Sequence, residues 1–225
     1  MKDFVKIQKV IGVKFKNEKL IKQAFIHRSF LNENPEIKEH NERLEFLGDA
    51  VLELVVTEYL FENYPNPEGE LTNWRSALVK TETISSVAKE LGFDEFLYLS
   101  KGESKSQGRA RQLILANCFE AVTGAIYLDQ GYNKAREFIL NNLLVLLKEI
   151  IEKRLYIDSK SEFQELAQEK DGLTPNYRVL KEEGPDHDRI FTVGVFVGDK
   201  LMGKGKGPSK QLAQQEAATE ALRKY

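Results

Sequence analysis

The sequence predicts a mostly α-helical protein, an all-helical first domain over residues 1–152 followed by a small α+β domain, ordered α-β-β-β-α, over 158–225. Three observations predict it. Apolar residues recur at helical spacing up to about residue 156, with few alternating β-branched runs. Residues 189–197 alternate instead, with Phe191, Val193, Val195 and Val197 on one face and Ile190, Thr192, Gly194 and Phe196 on the other. The join, Glu152 to Asp158, is short and holds no Pro or Gly.

The elements follow in order. Phe4–Ile11 and Glu18–His27 read as short amphipathic helices, and Glu39–Tyr64 as one long helix. YPNPEGE at 64–70, with two prolines and a glycine, reads as a helix-breaking loop. Thr72–Leu91 reads as one or two helices, and KGESKSQGR at 101–109 as a polar loop. Leu113–Gln130 and Asn133–Arg154 complete the helical part. The second part begins with a helix over Lys160–Glu169 and a strand over Asn176–Glu182. GPDHD at 184–188 reads as a turn before the strand at 189–197, and Leu201–Lys206 is a shorter, glycine-containing strand. Ser209–Arg223 is an alanine-rich amphipathic helix.

Composition narrows the function classes. Of 225 residues, 41% are hydrophobic and 30% charged, which suits packed cores and argues against wholesale disorder. One cysteine excludes a disulfide framework and a Cys-rich zinc site. No apolar run approaches the roughly 20 residues of a membrane span. The amino end has no long apolar core, so no secretory signal, membrane or oxidising compartment is expected, and the cytoplasm is. The formal net charge is -2, from 33 basic and 35 acidic residues, so no global field attracts a polyanion. Dividing at Tyr156 leaves 22 basic and 23 acidic residues before it and 11 and 12 after it. Nucleic-acid binding must come from local placement.

Two segments carry chemistry. In NERLEFLGDAVL at 41–52, Glu45 and Asp49 stand at i and i+4 on one helical face, bordered by Glu42. In ANCFEAVTGAIYLD at 116–129, Asn117 and Glu120 at i and i+3 put two more oxygen-bearing side chains on an otherwise apolar helix. Oxygen ligands from two packed helices suit a hard divalent ion such as Mg²⁺. A solvated helix surface is the plain alternative, weakened by the small and apolar neighbours Gly48, Ala50, Val51, Ala121, Gly124 and Ala125. Spacing alone leaves both readings open. No Ser-His-Asp or Cys-His set suggests covalent catalysis. His27 reads as a hydrogen-bonding structural residue, and Cys118 and Trp74 read as packing.

NERLEFLGDAVL resembles the signature of the ribonuclease III family, and ANCFEAVTGAIYLD resembles that family's other catalytic helix. HRSF at 27–30 and GELTNWRSALV at 69–79 are similar to it as well, and the C-terminal part resembles a double-stranded-RNA-binding domain. The resemblance implies an all-helical endonuclease domain that forms a homodimer. It implies Mg²⁺-dependent hydrolysis of both strands of double-stranded RNA, leaving short 3′ overhangs, in the maturation of rRNA and mRNA precursors. Mn²⁺ is the implied substitute. By position, Glu45, Asp49, Asn117 and Glu120 are the implied metal ligands, with Glu45, Asp49 and Glu120 catalytic. Glu42 and Glu68 are implied supporting acids near the scissile strand. Asn117 departs from the family, which usually has aspartate there. One negative charge is missing, so the alternative is an impaired or non-cleaving double-stranded-RNA-binding protein.

Duplex RNA is read by shape, through 2′-hydroxyls and phosphates. Candidates are Ser161, Gln164, Glu165 and Gln168 on one helix, His187 in the GPDHD turn, and Lys204, Lys206, Ser209 and Lys210 around the start of the last helix. Gln211 and Gln214 stand where similar domains often carry lysine, so the patch is weaker. GKGKG at 203–207 lacks phosphate-loop spacing, and no nucleotide cofactor is expected. The helix over 39–64 is apolar nearly all round, which predicts burial on two sides, against its own core and against a second subunit. A helical protein–protein scaffold is the remaining alternative; it predicts no salt-sensitive RNA affinity.

Overall fold

The computed structural model describes residues 2–156, 158–185 and 189–225, and the chain divides into two compact units, 1–156 and 157–225. The first is all helical: α1 (Phe4–Val10), α2 (Glu18–Ala24), α3 (Glu42–Asn63), α4 (Glu68–Val79), α5 (Thr81–Glu90), α6 (Gly108–Gln130), α7 (Tyr132–Asn142) and α8 (Leu147–Glu152). Asp3 and Asn17 cap α1 and α2 by accepting first-turn N–H groups. The core is aromatic at its centre. Phe25, Phe93, Phe119 and Phe138 are fully buried, with neighbouring rings 5.1–6.3 Å apart. Each such burial contributes about 1.5–3 kcal/mol.

The long helices α3 and α6 form the most extensive helix–helix contact in the unit. Their approach is set by glycine. A Cβ on Gly48 would lie 1.7 Å from the Glu120 carbonyl oxygen, and one on Gly124 would lie 2.2 Å from the Leu44 carbonyl oxygen. The two backbones therefore touch, which places the side chains at 45 and 49 against those at 117 and 120.

Element boundaries differ from expectation where no apolar residue marks them. α4 begins at Glu68, inside the expected loop, because Pro67 sits at its N-cap and has no N–H to leave unsatisfied. α6 begins at Gly108, five residues early, through helix formers that face solvent. α2 stops at Ala24 because Ile26 leaves the helix to bridge Tyr98. The helix expected over 133–154 breaks at buried Leu143, into a 3₁₀ turn and α8, where the Asn142 amide donates to the Phe138 carbonyl. Cys118 and Trp74 are buried, as expected.

The second unit is α9 (Ser159–Asp171), the antiparallel sheet β1 (Asn176–Glu183), β2 (Ile190–Val197), β3 (Lys200–Gly207), and α10 (Lys210–Leu222). Its core joins Phe163 and Ala167 of α9, Val195 and Val197 of β2, Met202 of β3, and Ala217, Ala218 and Ala221 of α10. The glycines of GKGKG serve packing. A Cβ on Gly203 or Gly205 would lie within 2.3 Å of the α10 backbone at Ala217. Among the described residues no helix is long and apolar enough to cross a membrane.

Candidate active site and RNA-binding surface

Glu45 and Asp49 project from α3 and meet Asn117 and Glu120 of α6 at the glycine crossing. Burial, then the nearby charges of Asp49 and Glu45, push the Glu120 carboxyl up to about 8. Glu45 is also raised, by burial and by Glu42, while a hydrogen bond from the Asn117 amide pulls it down. Three acids thus sense one another across two helices without an internal cation to balance them. Among the described residues no three His, Cys, Asp or Glu side chains stand close enough to chelate a metal as placed. As placed, the carboxylates stand apart rather than closed on a common point. The donor set still fits a hard cation that takes one or two carboxylates and keeps several waters. All donors are oxygens, the Asn117 amide oxygen among them.

Glu42 borders this group and is exposed. It accepts from Arg28 Nη1 at 3.2 Å and lies 3.9 Å from His40 Nδ1. Glu68 stands elsewhere, on the first turn of α4, where Thr72 Oγ1 donates to it. There it lines a cleft of about 560 Å³ with Phe61, Tyr64, Leu71 and Arg75. Sequence reading missed Glu103, in a 3₁₀ turn at 103–105. Glu103 and Glu42 both act electrostatically on His27, so each carboxylate lies near that imidazole. Glu103 lies in a polar loop with no periodicity, so nothing in the sequence marked it.

The predicted RNA-binding residues separate into three places. Ser161, Gln164, Glu165 and Gln168 are all exposed on α9, as expected of a polar face. Ser209 caps α10, its hydroxyl accepting from Leu212 N–H at 3.2 Å, and Lys210 is exposed beside it. Lys204 and Lys206 alternate with the glycines that face α10, so their side chains take the opposite, open face of the sheet. His187 lies outside the described residues.

A family described as Ribonuclease-III-like matches residues 17–147, and one described as Double-stranded RNA binding motif matches 159–225. The chain belongs to the ribonuclease III family. Ribonuclease 3 of Pelotomaculum thermopropionicum is 46% identical over 216 residues, which cover 95% of this chain and 90% of that protein. Ribonuclease 3 of Dehalococcoides mccartyi is 42% identical over 227 residues, covering 100% and 96%. A solved nuclease domain of ribonuclease III from Campylobacter jejuni is 37% identical, with a TM-score of 0.58, covering 64% of this chain and 95% of that one. A second structure of that domain is described by flexibility in the region involved in dimer formation. Asn117 stands where the resemblance implies an aspartate. Asn117 still acts on the Glu45 carboxyl, pulling it down against burial and Glu42, so it keeps a place within the acid group.

Proposed function

We propose that Glu45, Asp49, Asn117 and Glu120 hold a divalent cation, Mg²⁺ with Mn²⁺ as a substitute, with which this double-stranded-RNA endoribonuclease acts in RNA processing. The observation that carries the reading is the meeting of Glu45 and Asp49 with Glu120 across the Gly48–Gly124 contact. A bound cation supplies Lewis-acid activation of water and stabilises charge gathering on the phosphate. The chain's own groups do the rest. Glu120, raised to about 8, gives up its proton as it becomes a ligand. The Asn117 amide keeps the Glu45 carboxylate oriented. The catalytic unit spans 1–152, and the unit over 158–225 holds the duplex through α9, His187 and the start of α10.

A homodimer completes the reading, and the cytoplasm is its setting. Phe46, Ala50, Leu54 and Phe61 form an exposed apolar stripe along α3, with Phe46 83%, Leu54 57% and Phe61 80% exposed. From 46 to 61 the stripe runs about 22 Å at 1.5 Å per residue. A two-fold axis near Leu54 pairs the Phe61 end of one protomer with the Phe46 end of the other. The cleft beside Phe61 then receives the partner's Phe46, and Glu68 faces the partner's acids. Two such sites address one RNA strand each.

A plain RNA duplex with and without Mg²⁺ tests this. Cleavage of both strands that requires the cation and is abolished in Glu120→Ala is expected. Duplex binding without cleavage across Mg²⁺ and Mn²⁺ titrations would instead select the non-cleaving reading, which no observation here favours.

A further inference from the structure

The segment over 25–29 is fastened to two parts of the nuclease unit. Tyr98 N–H donates to the Phe25 carbonyl at 2.8 Å and His27 N–H to the Tyr98 carbonyl at 3.1 Å, making a parallel bridge. On the other side the Ile26 carbonyl accepts from Asn41 N–H at 2.9 Å, just before Glu42 and the start of α3. Side chains extend the bridge towards the polar loop. Ser29 N–H donates to His27 Nδ1 at 3.3 Å, and the Ser29 hydroxyl lies 2.8 Å from the same nitrogen. Ser29 Oγ accepts from Ser100 N–H, and Ser100 Oγ accepts from Glu103 N–H, each at 3.1 Å.

The chain of donors fixes the imidazole. Nδ1 accepts from Ser29 N–H, so in a neutral ring the proton sits on Nε2. Burial lowers the His27 pKa and favours that neutral form, against Glu103 and Glu42 and alongside Arg28 and His40. The backbone bridge of Ile26 with Tyr98 already joins the two segments. What the His27 and Ser29 side chains add is the placement of the turn over 100–105.

We propose that His27 is a positioning residue for cleavage: through Ser29 and Ser100 it holds the turn of Glu103 against the segment whose Ile26 carbonyl anchors Asn41, just before Glu42 and the start of α3. The inference rests on the active site read above. Glu103 then adds an acceptor on the Glu42 side, for ordered waters and 2′-hydroxyls of the scissile strand.

Steady-state cleavage of a plain duplex by the full chain with Mg²⁺ tests it. His27→Ala and Ser29→Ala are each expected to lower kcat about tenfold at unchanged KM, in keeping with a small misplacement near the chemistry. His27→Asn, whose amide oxygen stands where Nδ1 does, restores kcat to within about threefold of wild type. Glu103→Gln lowers kcat in the wild-type background and adds less than about twofold in His27→Ala, since coupled residues are not additive. A His27→Asn variant as slow as His27→Ala overturns the proposal. So do additive effects of His27→Ala and Glu103→Gln, or a Glu103→Gln variant at full kcat. Should His27→Ala fail to fold, Ser29→Ala takes its place in the same cycle. A wild-type protein that never cuts the duplex would strike the active-site reading itself, before any variant is compared.

Discussion

Replacing Gly48 by alanine is the most direct challenge to the way α3 and α6 build the site. In an exposed helix the change should stabilise, since alanine exceeds glycine by about 1 kcal/mol in helix propensity. Here the new Cβ would lie 1.7 Å from the Glu120 carbonyl oxygen, 2.6 Å from its carbonyl carbon and 2.8 Å from Gly124 N. Ordinary contact needs roughly 3.5 Å, so the helices must part by about 1.5–2 Å. The obstructing atoms are backbone, so no rotamer relieves the clash. Overpacking costs about 1–3 kcal/mol where side chains can move, and the upper end applies to a backbone clash. A net loss of about 2 kcal/mol or more is expected after the propensity gain. The same displacement separates Glu45 and Asp49 from Asn117 and Glu120, and a misplacement of 1 Å can cost about a hundredfold in rate. Urea unfolding read by circular dichroism, with duplex cleavage on the same samples, measures both. A Gly48→Ala protein at least as stable as wild type would refute the reasoning, because only a helix free of close neighbours gains from the change.

Other perturbations address the charges and surfaces. Glu120, raised from 4.5 to about 8, holds a proton in the fold that the unfolded chain has released, so its contribution to stability is fully present below pH 4.5 and is lost up to about pH 8. Without metal, wild type should lose on the order of 2 kcal/mol between pH 6 and pH 9, and Glu120→Gln should lose less; equal slopes in EDTA would contradict this. Asn117→Asp adds a ligand charge and should lower the Mg²⁺ concentration for half-maximal cleavage several-fold. An unchanged or higher requirement counts against Asn117 as a ligand position. Leu54→Glu, on the exposed stripe, should leave helicity intact and shift sedimentation to a monomer. Lys210→Ala should reduce the salt slope of duplex binding by about one, and Lys204→Ala by less; the reverse order would move the RNA to the open sheet face.

Much of the site was legible because helical spacing is a local property. Glu45 and Asp49, like Asn117 and Glu120, share a face whatever surrounds them. The small residues around them hinted at a close crossing, and Gly48 and Gly124 supply it. Legibility failed where position depends on tertiary contact. Glu103 is tied towards His27 by hydrogen bonds through Ser100 and Ser29, in a loop that obeys no period. Glu68 was assigned to the site by resemblance, and it lines a different cleft of the protomer, which no local pattern marks. The early starts of α4 and α6 escaped notice because their first turns are polar. The break at Leu143 escaped notice because leucine continues an apolar pattern through either backbone.

A chain of net charge -2 must place its cations well to bind a polyanion. In the second unit acids already pair with Lys181, Arg189, Lys210 and Lys224. Glu216 and Glu220 of α10 accept the backbone N–H groups of Lys206 and Lys204, fastening edge strand β3 to the helix. Glu182 lies 3.5 Å from Lys210 Nζ, and Lys160 Nζ donates to Gln214. These exposed pairs are worth little as stability and exchange readily for phosphate. The arrangement therefore favours a duplex held by a few lysines at the start of α10 and by neutral polar groups of α9. Such a surface reads groove shape more than charge, and its affinity should depend less steeply on salt than that of a lysine-rich relative. Weak electrostatic capture also leaves discrimination to the nuclease unit, where in the proposed homodimer a correctly spaced pair of strands would have to reach both acid groups at once.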